Sequence, residues 1–212
     1  MITARSQAMG RRSRPADESN GEDLMGKPFK HMVAVLVAGV VHVLPAAAQK
    51  VRLATSMGDI VLELDAEKSP KSVANFLQYV KAKHFDGTIF HRVIATFMVQ
   101  GGGMKPDMSQ KPTRAAIALE SKNGLRNVRG SVAMARTAVP DSATSQFFIN
   151  VVDNAFLDAD NARDGNGYAV FGRVIDGMDV VDRIRDVPTQ NNGPQANVPV
   201  TPVLINKATL EN

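Results

Sequence analysis

The chain reads as an all-β barrel or sandwich with helices packed at its ends. Three observations predict this. Many short apolar runs have strand length and, where they are half-polar, a period of two. Only two stretches carry helical spacing. Gly, Asn and Pro turns separate the runs at regular intervals. Pattern alone does not choose between barrel and sandwich. The 212 residues suffice for one ordinary domain and its core. No internal repeat, low-complexity tract or linker divides them.

The elements follow in order. Val51–Thr55 and Asp59–Asp65 read as strands joined by the Ser56-Met57-Gly58 turn, with Ile60, Leu62 and Leu64 alternating against Val61, Glu63 and Asp65. Ser69-Pro70 has the form of an N-cap followed by proline at the first helical position. Val73, Phe76, Leu77 and Val80 then form one apolar stripe of a helix ending near Lys83, before the Asp86-Gly87 turn. Thr88–Ile94 and Phe97–Gln100 are strand-like. Gly101-Gly102-Gly103 is expected to end the second of them. No Lys-Ser/Thr follows these glycines, which argues against a phosphate loop. Met104 to Arg129 reads as turns and loop. Ser131–Ala135, Gln146–Val151 and Tyr168–Val174 are the next strands. A second helix spans Gly177–Asp186, with Met178, Val181 and Ile184 on one side and Pro188 as its stop. Asn191-Asn192-Gly193-Pro194 reads as a loop, and Val203–Leu210 as the closing strand.

Residues 1–48 differ from the rest. Lys27, Lys30 and His31 precede an apolar run from Met32 to Leu44, and Ala46 and Ala48 supply small residues after it. These are the parts of a secretory signal peptide spanning 25–48 and cleaved after Ala48. The run is about 13 residues, short of the roughly 20 a membrane span needs. Residues 1–24 are polar and fit no signal n-region, so Met25 is the expected true start and 1–24 a mis-assigned extension. Arg11-Arg12 lies too far from the apolar run for a twin-arginine signal. The expected location is the periplasm, with no stable membrane insertion after cleavage. Residues 49–212 would then be the mature domain, a monomer.

Charge and composition exclude several classes. The leader holds six of the 25 basic and four of the 21 acidic residues, leaving 19 and 17, a balance of +2, for 49–212. That gives no argument for nucleic-acid binding, and no basic run or zinc-finger pattern is present. The absence of cysteine excludes disulfides, thiolate catalysis and Cys-based zinc sites.

Two segments carry the chemistry. One is Phe90-His91-Arg92-Val93-Ile94-Ala95-Thr96-Phe97-Met98-Val99-Gln100-Gly101; the other is Ser145-Gln146-Phe147-Phe148-Ile149-Asn150. Both are apolar and strand-like with a few hydrogen-bonding side chains. Neither contains a nucleophile beside a base, paired carboxylates or a metal cluster. Such a site binds an apolar group and polarises an amide without covalent chemistry. The two segments closely resemble the signature of the cyclophilins, the peptidyl-prolyl cis–trans isomerases, and the resemblance runs from about Val51 to Asn206. It implies an eight-stranded antiparallel closed barrel capped by two α-helices, no cofactor and no metal. Its implied partners are unfolded or newly exported polypeptides containing proline.

The resemblance also assigns residues. A lone Arg on a strand is ordinarily a solvated surface charge. Within the Phe-His-Arg segment it implies that Arg92 is the catalytic cation, held by Gln100 across adjacent strands. Phe97, Met98, Phe148 and Leu157 would line a proline pocket, with Phe90 and Ala135 beside it. Gln146 and the main chain near Arg136 would hydrogen-bond the peptide backbone. His91 is expected to be structural, since isomerisation needs no proton transfer. Asp158, Asp160 and Asp164, with Asn161 and Asn166, lack the terminal Glu of a calcium loop and read as a solvated loop. Ala95-Thr96 replaces the family's frequent Pro-Gly, which puts the path of that turn in question. Phe156 stands where many eukaryotic members have Trp, Tyr168 where they have His, and Arg136 where Asn is frequent. These variants resemble the bacterial periplasmic branch, and the missing indole N–H implies weak cyclosporin binding. Two other classes compete with the enzyme: a proline-peptide binding module with little catalysis, and a β-rich structural protein. A pure binder has no need of Arg92, and a structural protein no need of this polar–apolar combination.

Overall fold

The computed structural model describes residues 49–211; the leader and its proposed cleavage site lie outside the described residues. Ten strands and two α-helices follow one another as β1 (Gln49–Thr55), β2 (Gly58–Leu64), α1 (Pro70–Lys81), β3 (Thr88–Ile94), β4 (Met98–Met104), β5 (Ser131–Met134), β6 (Phe147–Asn150), β7 (Val170–Asp176), α2 (Met178–Arg185), β8 (Thr189–Asn192), β9 (Gln195–Pro199) and β10 (Val203–Glu211). Eight of the strands close a barrel in the order β1-β10-β3-β4-β6-β5-β7-β2, and every pair is antiparallel. Closure leaves no free edge in this sheet.

The barrel interior is filled by alternate residues of its strands. Val51, Leu53, Ile60, Leu62, Val99, Val132, Phe147, Ile149 and Ile205 all belong to one buried cluster. Helix α1 covers it with Val73, Phe76, Leu77 and Val80, the stripe read from the sequence. Phe76 makes an aromatic junction with Phe85, Phe147 and Phe171 at 4.9, 5.4 and 5.1 Å. Helix α2 buries Val180, Val181 and Ile184. Met178 lies at its margin, and Gly177 opens it at φ +82°, where a Cβ would strike the Asp59 carbonyl at 2.1 Å.

Three local expectations are corrected. Ser69 sits at the N-cap of α1, but its hydroxyl donates to the Val170 carbonyl at 2.7 Å instead of capping. The helix is capped from a distance by Glu120, whose carboxylate accepts from Lys71 N–H at 3.0 Å and Ser72 N–H at 2.8 Å. The triple glycine does not end β4; it lies inside it. The Asn191–Pro194 segment is not a plain loop, because β8 and β9 pair around it as a hairpin.

Candidate active-site groove

A second apolar cluster lies apart from the interior one. It comprises Met98, Ala133, Phe148, Leu157 and Val170, with Ile94, Phe97, Leu125, Ala135 and Tyr168 packed against it. Strand alternation accounts for it. On β4, Val99 points inward and Met98 outward; on β6, Phe147 and Ile149 point inward and Phe148 outward. Register then aligns the outward residues in one row across five strands. Arg92 pairs with Gln100, Gln100 with Phe148, Phe148 with Ala133, and Ala133 with Val170. The row is charged and polar at one end and apolar at the other.

The polar end is connected. Arg92 Nη1 approaches Gln100 Oε1 at 3.5 Å, and Gln100 Nε2 donates to Gln146 Oε1 at 2.8 Å. Arg92 is half-buried, and among the described residues no carboxylate pairs with it. Its charge is therefore available to a bound group, on a surface beside apolar side chains. The glycines of β4 make this arrangement possible. A Cβ at Gly103 would lie 2.6 Å from Gln146 Cγ, and one at Gly102 would lie 2.9 Å from the Phe147 ring. Gly102 also has φ +86°. The strand accommodates it through a register break, with Ile89 opposite Met104 and Phe90 opposite Gly101.

The same ladder moves two residues out of the groove. Between Phe90 and Arg92 the register advances two residues on β3 and one on β4, so His91 is a bulge. Without it, Phe90 and Arg92 would share a face. With it, Phe90 turns inward, is 0% exposed and meets Phe147 edge-on at 6.3 Å. Phe90 is thus a core residue and not a groove residue. His91 is 3% exposed, and burial, helped by the Arg92 charge, lowers its pKa to about 4. Its imidazole is neutral at physiological pH, and its Nδ1 is buried without a partner.

The far wall is built by loops. Phe97 closes the β3–β4 turn, its N–H donating to the Ile94 carbonyl at 2.9 Å, so Ala95-Thr96 still makes a tight turn. Phe156 stacks on Phe97 at 5.5 Å and is 58% exposed, which makes it a rim residue. Leu157 follows it and is buried in the groove cluster. Tyr168 meets Phe148 edge-on at 5.6 Å. Arg136 does not reach into the groove with its side chain, which is 3% exposed. The exposure of that residue resides in its backbone.

Sequence reasoning missed the support beneath this wall. Asn150 Nδ2 donates to Asn127 Oδ1 and Ser131 Oγ at 3.2 and 2.9 Å. Asn154 Nδ2 donates to Asn150 Oδ1 and the Phe97 carbonyl at 2.7 and 2.9 Å. Asp158 is buried too, accepting from the Asn127 N–H and Nδ2 at 2.8 and 3.0 Å, so the solvated-loop reading does not hold for it. Period-two alternation with Ala135, two residues along the same strand run, could have found Ala133; nothing local signals the Asn network. Among the described residues no group of His, Asp or Glu could hold a metal ion. A separate concavity of about 600 Å³ opens between Lys68, Glu120, Lys122, Asp141 and Asn166. It is polar, holds none of the groove residues, and its Glu120 is committed to capping α1.

Comparison with known proteins agrees with this architecture. Residues 50–210 match the family described as cyclophilin type peptidyl-prolyl cis-trans isomerase/CLD. Peptidyl-prolyl cis-trans isomerase A of Dickeya dadantii is 56% identical over 160 residues, covering 76% of this chain and 83% of that protein. Peptidyl-prolyl cis-trans isomerase B of Escherichia coli is 51% identical over 157 residues, covering 74% and 96%. Among solved structures, a Cryptosporidium parvum cyclophilin superposes with a TM-score of 0.65 at 26% identity, covering 78% of this chain and 98% of that one. The same protein has been solved in the presence of the dipeptide Ala-Pro. With its closed eight-stranded barrel, two helices and a family match across nearly all the described residues, the chain belongs to the cyclophilin-type peptidyl-prolyl cis–trans isomerases.

Proposed function

We propose that the groove binds a proline ring and that Arg92 is the catalytic residue. Rotation about an X–Pro bond is opposed by a barrier of roughly 18–20 kcal/mol, the loss of amide resonance on twisting. In the twisted amide the proline nitrogen regains a localised lone pair. A cation aimed at that nitrogen stabilises the transition state more than either planar isomer, and only such differential stabilisation raises the rate. Met98, Phe148 and Leu157 are the surface for the ring, with Phe97, Ala135, Phe156 and Tyr168 around it. Gln146 and the Arg136 backbone are the peptide's hydrogen-bond partners. The observation that carries this reading is the register row from Arg92 through Gln100 and Phe148 to Val170. It sets an uncompensated cation beside an apolar surface, which a binding module alone does not require.

The reading extends to the cell. The partners are proline-containing, unfolded or newly exported chains, met in the periplasm after removal of 25–48, and the protein acts as a monomer. The signal-like pattern of Lys27 to Ala48 supports this; fractionation of cells tests it. Cyclosporin binds weakly, because the exposed ring of Phe156 offers no N–H donor. The catalytic role is tested by Arg92→Ala in a protease-coupled isomerisation assay beside a thermal melt. Catalytic efficiency falls about 10²–10³-fold with the fold intact, equivalent to roughly 3–4 kcal/mol of transition-state stabilisation. Unchanged efficiency in the folded variant moves the catalytic cation elsewhere. If the wild-type protein binds proline peptides without turnover, the binding-module reading replaces the enzyme.

A further inference from the structure

Arg136 follows Ala135 at the end of β5, and its guanidinium is held inside the protein, 3% exposed. Every nitrogen of the group has a partner. Nε donates to the Gly167 carbonyl at 2.8 Å, Nη1 to the Thr137 carbonyl at 3.0 Å, and Nη2 to the Asp164 carboxylate. Its Cζ lies 4.6 Å from the centre of the Tyr168 ring. Tyr168 in turn packs edge-on against Phe148 and donates its N–H to the Leu157 carbonyl at 2.9 Å. Gly167, at φ +62°, crosses so close that a Cβ would lie 2.6 Å from both the Leu157 carbonyl and Ala159 N. One guanidinium therefore ties together the end of β5, the 158–167 loop and two walls of the groove.

Filling this space with an apolar side chain would avoid the cost of burying a charge. The planar fork does what an apolar group or a lysine cannot: it reaches three acceptors at once while its face lies on an aromatic ring. We propose that the Arg136 side chain is a positioning residue for proline recognition. It holds Tyr168 against Phe148, and the Leu157 segment beside them, in binding shape before the peptide arrives. This rests on the reading of the Met98–Phe148–Leu157 surface as the proline site. Because the groove touches the ring in ground and transition states alike, loss of its shape appears in KM rather than kcat.

The test is steady-state kinetics on the full chain with an X–Pro peptide, using Arg136→Lys, Asp164→Asn and Phe148→Ala. Arg136→Lys raises KM about tenfold with kcat within about twofold; Asp164→Asn, which keeps an acceptor but loses the charge, raises KM by about threefold. A merely structural role lowers the melting temperature and the active fraction, which reduces apparent kcat and leaves KM alone. That pattern overturns the proposal. If Arg136→Lys does not fold, Asp164→Asn decides by itself, since Asp164 is at the surface with 43% exposure, and an unchanged KM overturns the proposal. Phe148→Ala separates the two levels of inference. Raised KM there, with no change in the other variants, removes only the role of Arg136. Unchanged KM in Phe148→Ala removes the groove reading itself, and this inference with it.

Discussion

Replacing Gly103 by alanine adds one methyl group behind the polar end of the groove. The new Cβ would lie 2.6 Å from Gln146 Cγ, 2.8 Å from its Nε2 and 2.9 Å from its Cδ. Gly103 is not among the residues with positive φ, so the backbone accepts alanine and the strain falls on the glutamine. Gln146 must swing away, and the 2.8 Å bond from Gln100 is lost. That bond contributes about 0.5–1.5 kcal/mol, so stability should fall by no more than about that amount. Activity should fall further. Gln100 is the only side chain among the described residues that bonds Arg92, and it does so at the long distance of 3.5 Å. Under the proposed role of Arg92, losing its anchor frees the cation from the aim that catalysis needs. We expect a ten- to hundredfold drop in catalytic efficiency, about 1.4–2.7 kcal/mol of transition-state stabilisation. The assay is protease-coupled isomerisation of an X–Pro peptide beside a thermal melt, for Gly103→Ala, Gln146→Ala and the double variant. Because both changes act on one contact, the double variant should lose little more than Gln146→Ala alone. Full efficiency in Gly103→Ala, or strictly additive losses in the double variant, would refute the reasoning.

Three further outcomes follow from the same structure. His91 has a folded pKa of about 4 against an ordinary 6.5, so it favours the neutral state in the fold; its contribution, about 3 kcal/mol at most, is complete above pH 6.5 and is lost as pH falls toward 4. Chemical denaturation at stepped pH should show that decline, His91→Gln should flatten it, and turnover should stay level from about pH 6 to 8; a bell-shaped rate profile in that window would restore His91 as an acid or base. Phe90→Ala should destabilise by about 3–5 kcal/mol, since its fully buried ring packs on Phe147; a melt shifted by only a degree or two would place the ring outside the core. Phe156→Trp should tighten cyclosporin binding roughly tenfold by calorimetry while peptide turnover is kept; equal affinity in both proteins would mean that position 156 is not at the rim.

The sequence by itself determined the two helices, the eight barrel strands and the family, but not the β8–β9 hairpin. Val73, Phe76, Leu77 and Val80 marked helix α1 because helical spacing is a property of the chain alone. The strand runs were legible for the same reason, with ends within a few residues of those observed. Side chains with unusual combinations, such as Phe-His-Arg followed by Phe-Met-Val-Gln, were legible as a resemblance. Neither kind of signal says which face of a strand meets the interior. Phe147 and Phe148 are adjacent and chemically identical, yet one packs in the barrel interior and the other in the second apolar cluster outside it.

Only tertiary structure decided that, because a face is defined by what pairs with the strand. The bulge at His91 is the clearest case. A single extra residue in β3, invisible to composition or spacing, turned Phe90 into the core while Arg92 stayed outside opposite Gln100. The triple glycine, which reads locally as an ending, stays in the strand because Gly101 pairs with both β3 and β6, β3 pairs again at Met104, and Gln146 and Phe147 occupy the space that side chains at Gly103 and Gly102 would need. The cap of α1 by Glu120, the Asn127–Asn150–Asn154 network and the buried guanidinium of Arg136 share that origin. Each joins residues far apart in the chain, where the need to satisfy a buried polar group, and not any local preference, selects the partner.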